Sequence, residues 1–181
     1  MRKQHIEVLN SSRPHQNDHQ GWKFPYCVDR QLQRDFAGAR VLQLFAGSSQ
    51  FGLRADLDID VHPDVVADAW LPPFPTNSFD AVILDPPYDP MNEQTKLNLL
   101  RSAGAVSRHW VVWFHTHWTS QTLGLKLRRS WLVRCGDNCA VRCLLYFEKT
   151  TPIEFPSSFE RGIQRKYDRW LRQPAGLPFP E

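Results

Sequence analysis

Five short apolar runs constrain this chain more than any other feature: Val41 to Phe45, Leu53 to Ile59, Val65 to Ala67, Phe79 to Leu84 and Trp110 to Phe114. Most are too short for helices and are rich in Val, Ile and Phe, as strands buried on both faces of a parallel sheet should be. Between them the spacing predicts helices over Val28 to Ala37 and Asn92 to Val106, the second with Leu97, Leu100 and Ala103 on one side. Strands alternating with helices predict a layered α/β fold with a mostly parallel sheet.

After Trp118 the pattern changes. Leu125 to Arg134 and Cys139 to Lys149 read as two long strands around a Gly136-Asp137-Asn138 turn, an antiparallel C-terminal hairpin closing one edge of the sheet. That turn sets Cys135 opposite Cys139. The four cysteines, Cys27, Cys135, Cys139 and Cys143, are too few for a disulfide scaffold in 181 residues. Even with His115 and His117 nearby, their spacing matches neither the common zinc pattern nor a redox pair, so they read as reduced strand cysteines and no metal site is expected.

With 181 residues, 41% of them hydrophobic, the chain suffices for one domain with a real core. Residues 1 to 20, rich in Gln, His, Asn and Ser, are expected to be a flexible tail, and 21 to 150 to form the domain. Residues 151 to 181 form an extension punctuated by Pro152, Pro156, Pro174, Pro178 and Pro180. Within it Ser158 to Arg172 reads as a helix with Phe159, Ile163, Tyr167 and Trp170 inward and Arg161, Arg165, Lys166, Arg169 and Arg172 outward. Residues 1 to 120 hold 11 Lys and Arg against 13 Asp and Glu, whereas residues 121 to 181 hold 11 against 6. An anionic partner therefore belongs with the C-terminal third. No apolar run approaches the roughly 18 residues of a membrane span, and Met1-Arg2-Lys3-Gln4-His5 lacks a signal-peptide core. The expectation is a cytoplasmic protein, of a prokaryote or of the host cell of a virus, with no membrane partner.

Three constellations carry chemistry. Val41-Leu42-Gln43-Leu44 runs into a turn of small residues, Phe45-Ala46-Gly47-Ser48-Ser49, which lets polar parts of a nucleotide-like ligand approach the backbone. Acids then end the next two strands: Asp56 or Asp58 after the second, with Asp58 nearer the end of the run, and Asp68 after the third. An ionised acceptor there suits ribose hydroxyls, although Asp56, Asp58, Asp60 and Asp64 equally suit a solvated acidic loop or a divalent cation. Third, Asp85-Pro86-Pro87-Tyr88 follows the strand Phe79 to Leu84. Two prolines fix the backbone and offer carbonyls, Asp85 offers a carboxylate and Tyr88 a ring face, a set that suits a flat heteroaromatic bearing an amino group.

Asp85-Pro86-Pro87-Tyr88 after Phe79-Asp80-Ala81-Val82-Ile83-Leu84, with Phe45-Ala46-Gly47 some forty residues earlier, resembles the class I S-adenosylmethionine-dependent methyltransferases that act on exocyclic amines of nucleobases. Leu71-Pro72-Pro73-Phe74-Pro75 before Asn77-Ser78-Phe79-Asp80 also resembles the stretch preceding their fourth strand, and the similarity covers about residues 38 to 148. It implies a Rossmann-like, seven-stranded sheet with an antiparallel last strand. It implies further that Phe45, Ala46, Gly47 and Ser48 line the methionine end of the cofactor, that Asp56 or Asp58 meets the ribose, and that Asp68 and Ala69 meet the adenine. Asp85, Pro86, Pro87 and Tyr88 would hold the target amine, with N6 of adenine in DNA the first expectation. An RNA base amine, guanine or adenine, or a non-catalytic cofactor-binding module are the alternatives. Three departures stand beside the similarity: Ser49 replaces the motif's second glycine, only Ser48 to Gly52 separate the first two strands, and no segment has the size of a target-recognition region. Around the pocket, Trp22, Lys23, Phe24 and Trp118 are aromatic and basic residues suited to a nucleic-acid partner.

Overall fold

Strand β2 (Val41–Leu44) is buried at every position, and β5 (Phe79–Leu84) over its last four. Such strands need cover on both faces. The computed structural model, which describes residues 6–10, 24–87, 92–116, 119, 124–135 and 140–155, supplies it with one helix on each side. Helix α1 (Tyr26–Asp35) turns Val28, Leu32 and the following Phe36 onto Val41, Ile83, Val112 and Tyr146. Helix α2 (Glu93–Val106) turns Leu99, Leu100, Ala103 and Val106 onto Leu42, Val82, Val111 and Phe147. Neighbouring residues of one strand thus enter opposite cores, as a period of two requires.

The helix ends follow local chemistry. The Asn92 side chain accepts the Thr95 amide at 2.8 Å and so caps α2. At its other end the Lys149 ammonium donates to the Gly104 and Ser107 carbonyls at 2.7 and 2.9 Å and to Asn77 Oδ1 at 2.8 Å. A cation on terminal carbonyls suits the helix dipole, although burial lowers the Lys149 pKa. Across the sheet the Tyr146 hydroxyl donates to Asp35 at 2.9 Å, tying the end of α1 down. Burial and the Asp35 carboxylate hold that phenol protonated, well above its ordinary range.

The remaining strands are β1 (Ile6–Asn10), β3 (Leu53–Asp56), β4 (Val65–Val66), β6 (Ser107–His115), β7 (Leu125–Cys135) and β8 (Ala140–Lys149). Together with β2 and β5 they form, among the described residues, one eight-stranded sheet in the order β1-β7-β8-β6-β5-β2-β3-β4. Every neighbouring pair is parallel except the two made by β8. The expected Rossmann-like sheet with an antiparallel C-terminal hairpin is therefore present.

Four expectations are corrected. Residues 6–10, assigned to a flexible tail, form β1, parallel to β7 from Ile6↔Ser130 to Asn10↔Arg134, so the hairpin does not close the sheet edge. Ile6, Val8 and Leu9 give that segment strand character that its polar surroundings obscure. The run Leu53 to Ile59 is a strand only to Asp56, after which Ile59–Val61 makes a 3₁₀ turn. The run Trp110 to Phe114 extends at both ends, to Ser107 and His115. In the hairpin, Cys135 stands opposite Ala140, not Cys139. The extension helix proposed for Ser158 to Arg172 lies outside the described residues, as do Trp22, Lys23 and Trp118.

Candidate active site

Parallel register brings the three constellations to one edge. Leu44 aligns with Ala55 and with Leu84, and Leu84 with Trp113. The next residues, Phe45, Asp56, Asp85 and Phe114, therefore stand level along the C-terminal edge, where open α/β sheets take their ligands.

The turn after β2 is held in an unusual backbone shape. Phe45 has φ of 58° and Gly47 of 50°, both left-handed, while Ser49 lies outside that region. The serine in place of a second glycine is thus accommodated without left-handed strain. Ala46, Gly47 and Ser49 are buried and Phe45 and Ser48 half-buried. The Gly47 amide donates to Asp56 Oδ2 at 2.9 Å, and the Asp58 amide to Asp56 Oδ1 at 3.1 Å. Asp56, the last residue of β3, therefore has its carboxylate against the glycine turn. Asp58 is exposed beyond the strand, where it accepts the Asp60 amide at 2.9 Å and caps the 3₁₀ turn. Asp58, expected nearer the strand end, lies two residues beyond it, because β3 stops three residues earlier than its apolar run.

Parallel neighbours usually need a connection of a dozen or more residues with a helix, yet residues 45–52 alone join β2 to β3. Two features make that possible. Gly52 has φ of 74°, and a Cβ there would stand 2.8 Å from the Val41 carbonyl oxygen, so only glycine makes the return. Arg54 then staples the segment: its guanidinium donates to the Ser49 carbonyl at 3.5 Å, the His62 carbonyl at 2.7 Å and Asp64 at 3.1 Å. Those bonds hold the Asp64 carboxyl below its usual pKa. Arg54 escaped the sequence analysis because a lone arginine in a strand resembles any solvated residue.

Asp68 follows β4 and accepts the Trp70 amide at 2.9 Å, and its carbonyl accepts the Leu71 amide at 3.0 Å. Ala69 is buried in the α2-side core. Ser102 Oγ donates to the Trp70 carbonyl at 2.5 Å, fixing this loop to α2. Asp85 is half-buried, Pro86 buried and Pro87 exposed; Tyr88 lies outside the described residues. Phe24 packs edge-on against Phe114 with ring centroids 5.7 Å apart, so it caps the core.

Two polar groups near the turn have no partner among the described residues. The Gln43 side-chain amide, on the strand before the turn, and Ser49 Oγ within it are buried without a hydrogen bond. Such groups cost free energy unless water or a ligand satisfies them. Small residues, an acid at the turn and unspent polar capacity all fit an adenosyl amino-acid cofactor. Among the described residues no His, Cys, Asp and Glu cluster could hold a metal ion.

No protein-family model and no curated protein sequence matches the chain. Solved structures do. The PH0226 protein of Pyrococcus horikoshii OT3 superposes with a TM-score of 0.53 at 12% identity, over 67% of this chain and 87% of that one. The magnesium protoporphyrin IX methyltransferase ChlM of Synechocystis PCC 6803 gives 0.53 at 9% identity, over 67% and 76%. The Escherichia coli protein yhhF gives 0.50 at 18% identity, over 68% and 85%. With seven parallel strands and one reversed strand beside β6 among its described residues, the chain has a Rossmann-like fold that matches the fold of solved structures including the methyltransferase ChlM.

Proposed function

We propose that this protein transfers a methyl group from S-adenosylmethionine to an exocyclic amino group of a nucleobase, with N6 of adenine in DNA as the first candidate. The observation that carries the reading is the level placement of the glycine turn, Asp56 and Asp85-Pro86-Pro87 on adjacent strand ends. ChlM, which shares the fold, was solved with S-adenosylmethionine bound.

The cofactor supplies an electrophilic methyl on a sulfonium centre. Phe45 to Ser48 would hold its methionine end, Asp56 its ribose, and the Asp68 to Ala69 backbone its adenine. The residues at the end of β5 then act on the acceptor. Asp85 and the Pro86 carbonyl accept the two hydrogens of a planar amine, which draws its lone pair out of conjugation and aims it at the methyl. A proline carbonyl suits this role because no neighbouring amide competes at the edge. Positioning and preorganised electrostatics carry such a reaction, and no covalent nucleophile is required. Burial raises the pKa of both Cys27 and Cys143, so neither is poised as a thiolate.

The test is transfer of radiolabelled methyl from S-adenosylmethionine to DNA and RNA, followed by nucleoside analysis. N6-methyladenine in DNA supports the reading, label in an RNA base moves the acceptor to RNA, and no label in either removes it. For affinity, the basic stretch with Arg165, Lys166 and Arg169 is proposed to contact phosphates and to position the substrate with little sequence reading. Changing these three to alanine is expected to reduce the slope of log affinity against log salt by about two to three, since each lost phosphate contact removes about 0.9. An unchanged slope places the nucleic acid elsewhere.

A further inference from the structure

His115 ends β6 and is fully buried, an unusual place for an imidazole on a strand of Val and aromatic residues. Its Nε2 stands 3.3 Å from the Pro87 carbonyl oxygen and its Nδ1 3.4 Å from Thr116 Oγ1. We propose that His115 is a positioning residue for methyl transfer: its Nε2–H tethers the Pro87 carbonyl and so fixes the direction of the Asp85-Pro86-Pro87 segment. This inference rests on the methyl-transfer reading above.

The physical need comes from the prolines. Pairing between β5 and β6 stops at Leu84↔Trp113, whereas β6 continues to His115 beside the segment that follows β5. Pro86 and Pro87 have no N–H, so these two residues cannot extend the ladder by their own donors. A stretch with no backbone donors needs its carbonyls held from outside if an acceptor site built on it is to keep one direction. The imidazole supplies such a hold from the other strand. A carbonyl only accepts, so Nε2 carries the proton; in the neutral ring Nδ1 is then the acceptor, and the Thr116 hydroxyl donates to it. Surroundings hold the ring in place. The Trp113 ring lies 5.6 Å away on the same face, and Cys143 stands opposite His115 in the ladder with its thiol held protonated by burial.

Three proteins, compared by kinetics, cofactor binding and NMR, test this. Wild type, His115→Phe and His115→Gln are compared for kcat, KM of the nucleic acid and affinity for S-adenosylmethionine. The phenylalanine keeps the volume and loses the donor, whereas glutamine can return an N–H near the position of Nε2. His115→Phe is expected to lower kcat at least about tenfold, with cofactor affinity within about twofold, since misaligning an acceptor by a fraction of an ångström costs rate before binding. His115→Gln is expected to recover most of the loss. A phenylalanine variant with near-normal kcat, or a glutamine variant no better than phenylalanine, overturns the proposal. Independently of activity, ¹⁵N NMR of histidine-labelled wild type, with the His115 signals identified by their through-space contacts to the Trp113 ring and Thr116, should show Nε2 protonated and Nδ1 bare. Protonation at Nδ1 alone overturns the tether even if the substituted proteins do not fold. A wild type that methylates nothing refutes the methyl-transfer reading, and the tautomer still decides the contact.

Discussion

Asp85→Ala is expected to lower methyl transfer by about a hundredfold or more while affinity for S-adenosylmethionine stays within about a factor of two. Asp85 is the first residue beyond β5, half-buried, and level with Phe45 and Asp56 along the sheet edge. In the proposed reaction it accepts a hydrogen of the amine, whose N–H bonds become more polar as the lone pair is committed to the new bond. The interaction therefore strengthens toward the transition state, the condition under which removing a group lowers kcat more than binding. Asp85→Asn separates charge from geometry, because the amide keeps an acceptor oxygen without the negative charge, and an intermediate rate is expected. Single-turnover kinetics with saturating cofactor, beside calorimetry of cofactor binding, measures both. An Asp85→Ala enzyme with near-normal turnover would sink the mechanism.

The second large effect is on the cofactor. Asp56→Ala is expected to weaken S-adenosylmethionine binding by roughly tenfold to a hundredfold, the equivalent of losing hydrogen bonds to a charged acceptor worth about 1.5–3 kcal/mol. Its two oxygens already accept the Gly47 and Asp58 amides, so the substitution removes the support of the turn together with the acceptor proposed for the ribose. Gly47→Val should be as harmful, since a β-branched residue at φ of 50° carries about 1–3 kcal/mol of strain and would move the turn. Asp58→Ala is the control. Its carboxylate caps a 3₁₀ turn on the exposed side, so cofactor binding should stay unchanged. Calorimetry on the three variants decides between the two acids: a loss with Asp58→Ala and none with Asp56→Ala would reverse the assignment.

Much of this was legible because parallel strands advertise themselves. Ala81 to Leu84 must be apolar without alternation because both faces are covered, and the run Phe79 to Leu84 gave that strand its bounds without error. The helix from Asn92 to Val106 was legible from its apolar spacing, and its start is fixed by an equally local contact, the Asn92 side chain on the Thr95 amide three residues on. The motif Asp85-Pro86-Pro87 was likewise visible, since prolines after an apolar run end a strand by removing donors. Local chemistry, in short, reaches as far as the next turn of chain.

The rest depended on residues brought together from a distance. Whether Asp56 or Asp58 faces the glycine turn followed from where β3 stops, which the pairing Asp56↔Val66 and the Gly47 amide decide and the apolar run does not. That Ile6–Asn10 is a strand depended on the open edge of β7, because an isolated five-residue segment has too little apolar surface to order itself. The short connection from β2 to β3 closes only because Arg54 meets the Ser49 and His62 carbonyls and Asp64, partners spread over sixteen positions of sequence that share no local pattern. His115 was visible as a histidine at the end of an apolar run. Its contact with Pro87, twenty-eight positions earlier, exists only because β6 lies beside β5 and outlasts it. Sequence determined which segments are strands and which residues could do chemistry, since those properties are local; register and strand length decided which of them meet, since they are set by the packing of the whole sheet.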